Sequence, residues 1–462
     1  MSTLSAQYRK QHIQKKLVFG LGQTGLSCVR FLVEQGFEVA AFDTRLTPPL
    51  IEQLYKDFPH VDVTLQNISE ALFDDVDQII VSPGISLKSK ELAIANERGI
   101  EIVGDIELFA LSAKAPIIAI TGSNGKTTTT TLIGEIFKAA GLNAEVGGNI
   151  GTPVLDLLDK VVPDFYILEL SSFQLETTRH LNPLVAVILN ISADHMDRYN
   201  DLDDYASSKL GILTGASNKI INVDDGWLSA HLSSVGEYVG FSENTPVDIS
   251  TENMTYGLSQ IENTLWIMAG DRPVFNAADL KLQGRHQLMN AVAAVAVADI
   301  CGVDEKAICK VLQDFDGLEH RTQFIDLIDG VKYINDSKGT NVGATVAAIN
   351  GFDSEIILIA GGDGKGADFV ELADAIKKKV RYAILFGRDA GLIEKAITGL
   401  TNIVRAVSLE AAVNQAHKIA TQGETVLLSP ACASFDMFDN YQQRGDVFIQ
   451  AVKQIAGGKA NG

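Results

Sequence analysis

The chain reads as an α/β protein of three domains: a Rossmann-like N-terminal domain, a central P-loop ATPase-like domain on a parallel sheet, and a C-terminal Rossmann-like domain. Three observations predict this. Apolar runs of strand length alternate with helical patterns along most of the sequence, the layout of βαβ units. Two glycine-rich turns, Gly20 to Gly25 and Gly122 to Thr127, each follow such a run and open a helical pattern. The length, 462 residues, suits roughly three domains of ordinary size. The boundaries are expected near 1–111, 112–317 and 318–462.

The first segment begins with a short strand, Leu17 to Phe19, followed by Gly20-Leu21-Gly22-Gln23-Thr24-Gly25, a helix, and a second strand ending at Asp43. Taken alone this fingerprint suggests a dinucleotide site, with the glycines admitting a pyrophosphate and Asp43 reaching a ribose hydroxyl. The strand Gln78 to Val81 runs into Ser82-Pro83-Gly84-Ile85, either a ligand-binding turn at a strand's carboxyl end or a purely structural one.

The second segment carries Thr121-Gly122-Ser123-Asn124-Gly125-Lys126-Thr127-Thr128 between the apolar run Pro116 to Ile120 and a helical pattern over Thr127 to Ala140. Backbone N–H groups in such a loop wrap phosphates, the helix N-terminus favours their charge, Lys126 neutralises oxygen, and Thr127 can ligate Mg²⁺. The loop is a shortened Gly-x-x-Gly-Lys-Thr, because Ile120 stands where the longer pattern has its first glycine. Two further strand patterns, Phe165 to Leu170 and Leu184 to Ile191, end in Glu169-Leu170-Ser171-Ser172-Phe173-Gln174 and in Asn190-Ile191-Ser192-Ala193-Asp194-His195-Met196-Asp197. In a parallel sheet these ends share an edge with the phosphate loop. Glu169 is placed to supply a hard oxygen to a metal or simply to solvate a loop, and His195 to act as metal ligand, polar clamp or structural group. A helical pattern over Leu202 to Leu213 holds Lys209. Short strands are expected within Val235 to Phe275, and a helix over Gly284 to Ala298 carries Asn290.

The third segment alternates strand patterns (Val331 to Ile334, Ile356 to Ala360, Tyr382 to Phe386, Thr425 to Ser429) with helical ones, so a parallel sheet is expected. The loops after the strands are polar: Asn335 to Asn341, Gly361 to Lys365, and Ser429 to Ser434.

Composition narrows the partners. A net charge of −20 disfavours nucleic acid and anionic membrane surfaces, so anionic ligands must be held by local sites. Cys28, Cys301, Cys309 and Cys432 lie far apart, without zinc or disulfide spacing, as expected of reduced thiols in a cytoplasmic protein. No apolar run reaches membrane-spanning length, and the polar opening Met1 to Lys16 leads into no apolar signal core, so neither export nor membrane insertion is expected. Gly457 to Gly462 reads as a flexible tail. Phosphate chemistry in two segments and polar loops in the third suit an ATP-dependent synthetase that activates a carboxylate as an acyl phosphate for attack by an amine.

These motifs together resemble the Mur ligase family nearly end to end. The resemblance is carried by the phosphate loop at 121–128, Gly-Gly-Asn-Ile-Gly at 147–151, Leu-Glu-Leu-Ser-Ser-Phe-Gln-Leu-Glu at 168–176, Asp-His-Met-Asp-Arg at 194–198, and the three loops of the last segment. Within the family, Ser-Ser-Phe-Gln after Glu169 and the intact first fingerprint resemble the members that add D-glutamate to UDP-N-acetylmuramoyl-L-alanine in peptidoglycan precursor synthesis. The resemblance implies ATP and Mg²⁺ as cofactors. It assigns Gly20 to Gly25 to a uridine diphosphate, with Gln23, Thr24, Asp43, Thr44, Arg45, Gly84, Asn149 and His195 binding that substrate. ATP would be held by Gly122, Ser123, Asn124, Gly125, Lys126, Thr127, Thr128, Asn290, Arg321, Asp336 and Lys338. Metal would be held by Thr127, Glu169, His195 and a carbamylated Lys209, and D-glutamate by Thr340, Lys365, Ser434 and Tyr441. Lys126, Glu169, His195 and Lys209 would be catalytic, and a monomer is expected. Gln287 and Tyr441 depart from the family pattern, where Asn and Phe are familiar. The alternatives are a sister or folylpolyglutamate synthase-like amide ligase, a nicotinamide-dependent oxidoreductase, which leaves Gly122 to Thr127 without a role, and an ATP-binding switch, which leaves the last segment's loops without one.

Overall fold

A computed structural model describes residues 14–158, 161–245 and 255–460. They form two compact units, one within Met1–Thr121, Gly141–Ile188 and Ala206–Lys219, the other within Gly122–Ala140, Leu189–Tyr205 and Ile220–Gly462.

In the first unit, β1 (Lys15–Phe19), β2 (Glu38–Asp43), β3 (Asp62–Leu65), β4 (Val76–Val81) and β5 (Glu101–Val103) make a sheet in the order β3-β2-β1-β4-β5. Every pair in it is parallel. Leu17, Phe19, Phe42, Ile79 and Val81 lie in its core, as expected of strands covered on both faces. The chain winds one way from β1 to β2 and the other way to β4, so the turns after β1 and β4 part and leave a crevice at their carboxyl ends. The helix Gln23–Glu34 starts there. A Cβ on Gly25 would fall 1.8 Å from the Gly20 carbonyl oxygen, so only glycine lets this helix close on the turn.

The same unit holds β6 (Ile117–Thr121), β7 (Ala144–Gly148), β8 (Phe165–Glu169) and β9 (Val185–Ile188), four of the nine strands of the second sheet, parallel and in the order β7-β8-β6-β9. Their register sets Glu169 opposite both Ile120 and Gly148, and Thr121 opposite Ile188. The polar strand ends therefore lie level along one edge, as the sequence suggests.

The sheet's other five strands are β10 (Asn218–Asn222), which belongs to the second unit from Ile220 on, and, within that unit, β11 (Val239–Phe241), β12 (Thr255–Ile261), β13 (Thr264–Ala269) and β14 (Arg272–Asn276). β10, β11 and β12 are parallel, but β12, β13 and β14 form an antiparallel meander. Part of the irregular stretch Val235 to Phe275, residues 246–254, lies outside the described residues. The helix Arg285–Ile300 packs on the helix Lys126–Ala139. Residues Ala291 to Ala298 are all buried, since a helix apolar on every side has no face for water, and its alanines and valines permit close approach.

The third sheet runs β15 (Gln323–Ile328), β16 (Val331–Asn335), β20 (Thr425–Leu428), β17 (Ile356–Gly361), β18 (Val380–Phe386), β19 (Asn402–Arg405). Ile356, Leu358 and Ala360 of β17 enter one core and Ile357 and Ile359 the other, the two-residue alternation of a strand covered on both faces. The four strands read from the sequence, β16, β17, β18 and β20, pair in parallel, and β15, which the sequence does not reveal, adds an antiparallel edge on β16. Asp329 and Gly330 join them with φ of 53° and 75°, the left-handed pair that a tight hairpin requires. The tail reading also changes: the helix Tyr441–Ala460 continues through Gly457 and Gly458, and only 461–462 lie outside the described residues. Helical pattern Leu202 to Leu213 resolves into an α-helix to Leu210 and a 3-10 turn over Gly211–Leu213.

Gly25→Ala is expected to destabilise the protein by about 1–3 kcal/mol through the forced backbone shift, visible as a lower thermal midpoint. Gly22→Ala, where nothing lies within 4 Å of the added Cβ, should leave the midpoint unchanged.

Candidate active site

The phosphate loop is shaped by two glycines with positive φ, Gly122 at 152° and Gly125 at 83°. Gly125 caps the helix Lys126–Ala139, and a Cβ there would lie 2.4 Å from Asn290 Oδ1. Lys126 Nζ donates to the Gly122 and Ser123 carbonyl oxygens at 2.7 and 3.0 Å, so the cation rests on the loop that would hold the phosphates. Ser123 Oγ donates to the Ser192 carbonyl and lies 3.1 Å from the Tyr205 hydroxyl, while Asn124 N donates to Asn190 Oδ1 at 2.8 Å. These contacts anchor the loop to the segment that follows β9.

A cavity of about 260 Å³ opens beside this loop within the second unit. Asn124, Gly125 and Thr128 line it together with Asn290, Arg321, Asp336 and Lys338, seven of the residues expected to hold ATP. Thr127 is joined to the group by Arg321, whose Nη2 donates to Thr127 Oγ1 at 2.8 Å. Asn190, Asn222, Phe241, Glu243 and His286 line the cavity as well. Asn222, Phe241 and Glu243 belong to no motif and sequence reasoning missed them, while Asn190 and His286 lie in stretches read from the sequence without being given a role. Gln287 also lines it, its Oε1 accepting from Asn290 Nδ2 at 3.1 Å. Burial pushes the Asp336 carboxyl up to about 6, although hydrogen bonds from Ser429 Oγ and Thr322 N favour its anion.

The three loops of the third sheet are pinned together by their backbones. Ala431 N donates to the Gly339 carbonyl, Gly361 N to the Pro430 carbonyl, and Asp363 and Ala433 exchange both hydrogen bonds. Arg444, fully buried, donates to the Ser337 and Cys432 carbonyls and so holds the first and third loops as one piece. This brings Thr340, Lys365 and Ser434 onto neighbouring loops, and Lys338 Nζ sits 4.6 Å from the centre of the Tyr441 ring. None of Thr340, Lys365, Ser434 and Tyr441 lines the nucleotide cavity. His195, His320, Thr322, Lys365 and Ala431 all have positive φ, a conformation that side chains resist and that gathers at working sites. Burial holds the His195 imidazole below its ordinary pKa. Lys365 and Lys126 add to that, against Asp194 and Asp197.

In the first unit a second cavity, of about 550 Å³, occupies the crevice at the turns after β1 and β4. Gln23, Thr24, Asp43, Thr44, Arg45, Gly84 and Asn149 line it as expected, and His195 does not. Ser82, Ile150 and Gln174 are further lining residues. The geometry changes the role read for Asp43. Its two oxygens accept from Leu21 N, Arg45 N, Arg45 Nε and Arg45 Nη2, which uses the capacity of a carboxylate and leaves none for a ribose hydroxyl. Burial alone would raise its pKa, but these hydrogen bonds outweigh it and hold the group below the usual range. Asp43 thus braces the glycine turn and aims Arg45, whose side chain is half exposed.

Glu169 is buried at the end of β8. Asn149 Nδ2 donates to its Oε1 at 2.9 Å, and its Oε2 has no hydrogen-bond partner among the described residues. Lys209 is also buried, its Nζ 3.5 Å from Thr121 Oγ1. A buried carboxylate oxygen without a donor suits a hard cation. Among the described residues no three His, Cys, Asp or Glu gather as a ready-made cage. Also among these residues, no helix is long and apolar enough to cross a membrane.

A phosphate loop between a parallel strand and a helix, in a chain that also holds a Rossmann-like sheet with its own crevice, defines an α/β nucleotide-binding enzyme. Family profiles described as the Mur ligase MurD-like N-terminal domain, the Mur ligase middle domain and the Mur ligase glutamate ligase domain match residues 14–104, 120–298 and 320–432. The chain belongs to the Mur ligase family, and it is an ATP-dependent amide ligase. It is 49% identical to the UDP-N-acetylmuramoylalanine--D-glutamate ligase of Marinobacter nauticus, covering 96% of this chain and 98% of that one. With the ligase of the same name from Methylococcus capsulatus it shares 46% identity over 95% of each chain. The fold is similar to that of the UDP-N-acetylmuramate-alanine ligase of Thermotoga maritima, with a TM-score of 0.55 and 18% identity over 96% of this chain and all of that one.

Asp105, buried at the start of the helix Asp105–Ser112, accepts from Gln174 Nε2 at 3.4 Å. Burial pushes its carboxyl up to about 6, against the pull of Gln174 and the Ile106 N–H. The fold therefore favours its protonated form, a stabilisation present below the ordinary carboxylate pKa and lost as pH rises through about 6. Between pH 4 and 7 the urea midpoint of Asp105→Asn is expected to gain on that of the wild type.

Proposed function

We propose that this enzyme joins D-glutamate to UDP-N-acetylmuramoyl-L-alanine, with ATP converted to ADP and phosphate. The observation that carries the nucleotide half of this reading is the single cavity shared by the phosphate loop and by Asn290, Arg321, Asp336 and Lys338. Identity of 44 to 49% over nearly the full chain, to ligases that bear this substrate pair in their name, supports the acid and the amino acid.

Three functional segments follow: 1–111 for the uridine nucleotide, 112–317 for ATP, and 318–462 for the amino acid. The first cavity's Gln23, Thr24, Thr44, Arg45, Gly84 and Asn149 receive the UDP substrate, with Asp43 aiming Arg45. Gly122 to Thr128 hold the triphosphate at the start of the helix Lys126–Ala139, whose first-turn N–H groups have no carbonyl a turn earlier to pair with. Lys126 leaves the loop carbonyls to meet phosphoryl oxygen, and Arg321 orders the Thr127 hydroxyl. Mg²⁺ would be held by Thr127 and Glu169, with His195 and with Lys209 once carbamylated, a change that would replace a buried cation with a carboxylate-like oxygen ligand. Mg²⁺ when bound neutralises charge on the transferring phosphoryl group. Thr340, Lys365, Ser434 and Tyr441 orient D-glutamate so that its amine attacks the acyl phosphate formed on the L-alanine carboxylate. The enzyme works in the cytoplasm as a monomer.

Phosphate release should be measured with UDP-N-acetylmuramoyl-L-alanine and ATP in the presence of D-glutamate, L-glutamate or L-lysine. D-glutamate is expected to support turnover; L-lysine or L-glutamate doing so in its place would overturn the substrate assignment. In the same assay Lys126→Ala should lower kcat by about a thousandfold or more, since it removes the cation that offsets phosphoryl charge.

A further inference from the structure

Asn341 meets three parts of the second unit at once. Its Oδ1 accepts from Ala344 N at 2.8 Å and so caps the helix Val342–Asn350. That bond fixes which way the amide faces, and its Nδ2 then donates to Asn124 Oδ1 of the phosphate loop at 3.2 Å and to Asp194 Oδ2, beside His195, at 3.0 Å. Asn124 Nδ2 in turn lies 3.4 Å from Asn341 Oδ1 and 3.3 Å from Ser192 Oγ. Both Nδ2 protons and both Oδ1 lone pairs of Asn341 are thereby engaged, in a residue only 9% exposed. The backbones come together closely enough that a Cβ on Gly343 would lie 2.5 Å from Ser192 Oγ. An asparagine in a loop is ordinarily explained by the helix it caps. Here the cap uses only the oxygen, and the nitrogen is spent on the phosphate loop and the His195 segment.

We propose that Asn341 is a positioning residue that couples nucleotide at the phosphate loop to amino acid at the adjoining loop. The segment following Lys338 and Thr340 is held against Asn124 by one amide, so a nucleotide that orders the phosphate loop also orders the amino-acid loop. By linkage the amino acid tightens the nucleotide by the same factor. The inference rests on the proposed assignment of Thr340 to the D-glutamate loop.

Asn341→Asp separates this role from the structural one. Aspartate caps a helix as well as asparagine does, so the bond from Ala344 N survives, but it has no N–H for Asn124 and sets a second carboxylate against Asp194. Full-length enzyme should be assayed for kcat and for the KM of ATP and of D-glutamate. The dissociation constant of a non-hydrolysable ATP analogue should be measured with and without D-glutamate, alongside the thermal midpoint. Wild type is expected to bind the analogue more tightly when D-glutamate is present. In Asn341→Asp that enhancement should disappear and both KM values should rise by about tenfold or more, with kcat changing less and the thermal midpoint retained. Asn341→Ser, neutral and able to cap but too short to reach Asp194, should give the same pattern, so a folding defect peculiar to the aspartate does not decide the matter. Wild-type KM values with the enhancement intact in both variants, or a fall in kcat and thermal midpoint with KM untouched, would overturn the proposal. A wild type that releases no phosphate in response to D-glutamate would instead bring down the substrate assignment on which it rests.

Discussion

The nucleotide cavity depends on the backbone at Gly125. With φ at 83° this residue turns the chain into the helix Lys126–Ala139, and its missing side chain leaves room for the Asn290 amide, which would otherwise meet a Cβ at 2.4 Å. That contact sets how close the helix Arg285–Ile300 comes to the loop. The buried alanines and valines of that helix accept the distance, and Gln287 and Asn290 enter the cavity wall as a result. Arg321 then closes the other side through Thr127. A phosphate cradle built of backbone N–H groups has no side chains with which to correct an error, so each neighbour is placed by packing.

An ATP-dependent ligase of net charge −20 has to concentrate its cations where an anionic ligand is to be held. Lys126, Arg321, Lys338, Lys365 and Arg45 all stand at strand ends or in the loops beyond them. Several are held by groups that do no binding themselves. Asp43 uses four acceptor sites to orient Arg45 and the Leu21 N–H. Arg444 is buried so completely that its pKa falls to about 10, and its guanidinium joins the loop carrying Thr340 to the loop carrying Ser434 through two carbonyls. The positive φ of His195, Thr322 and Lys365 shows the same surroundings holding backbone where these residues would not settle alone.

The central strands were legible because burial on both faces makes them continuous apolar runs: β1, β4, β6, β8, β9, β17, β18 and β20 all sit where the hydrophobic pattern puts them, within a residue or a few at the ends. Short or edge strands were not. β3, β5 and β19 have three or four residues each and carry exposed or half-buried positions, so no run stands out from the polar sequence around them. β15 escaped for another reason. Its burial is mixed, with Phe324 and Leu327 exposed, although the Asp329-Gly330 turn that closes its hairpin is a strong local signal. Around the cavity beside the phosphate loop, residues lying in glycine-rich or charged motifs could be named from the sequence, and Asn222, Phe241 and Glu243 could not, because nothing in their local sequence separates a cavity wall from an ordinary strand end.

By itself, then, the sequence determined the alternation of strand and helix, the two glycine turns and the polar chemistry at the strand ends. These follow from periodicity, from the φ that only glycine adopts easily, and from the need of phosphate for N–H groups and cations. Tertiary structure alone decided which distant segments share a cavity, that Asp43 braces Arg45, that Glu169 keeps a buried oxygen with no donor among the described residues, and that Asn341 reaches Asn124 across 217 positions of chain. Hydrogen bonds between residues so far apart leave no periodic trace, since their partners are chosen by how the strands and helices pack and not by the residues beside them.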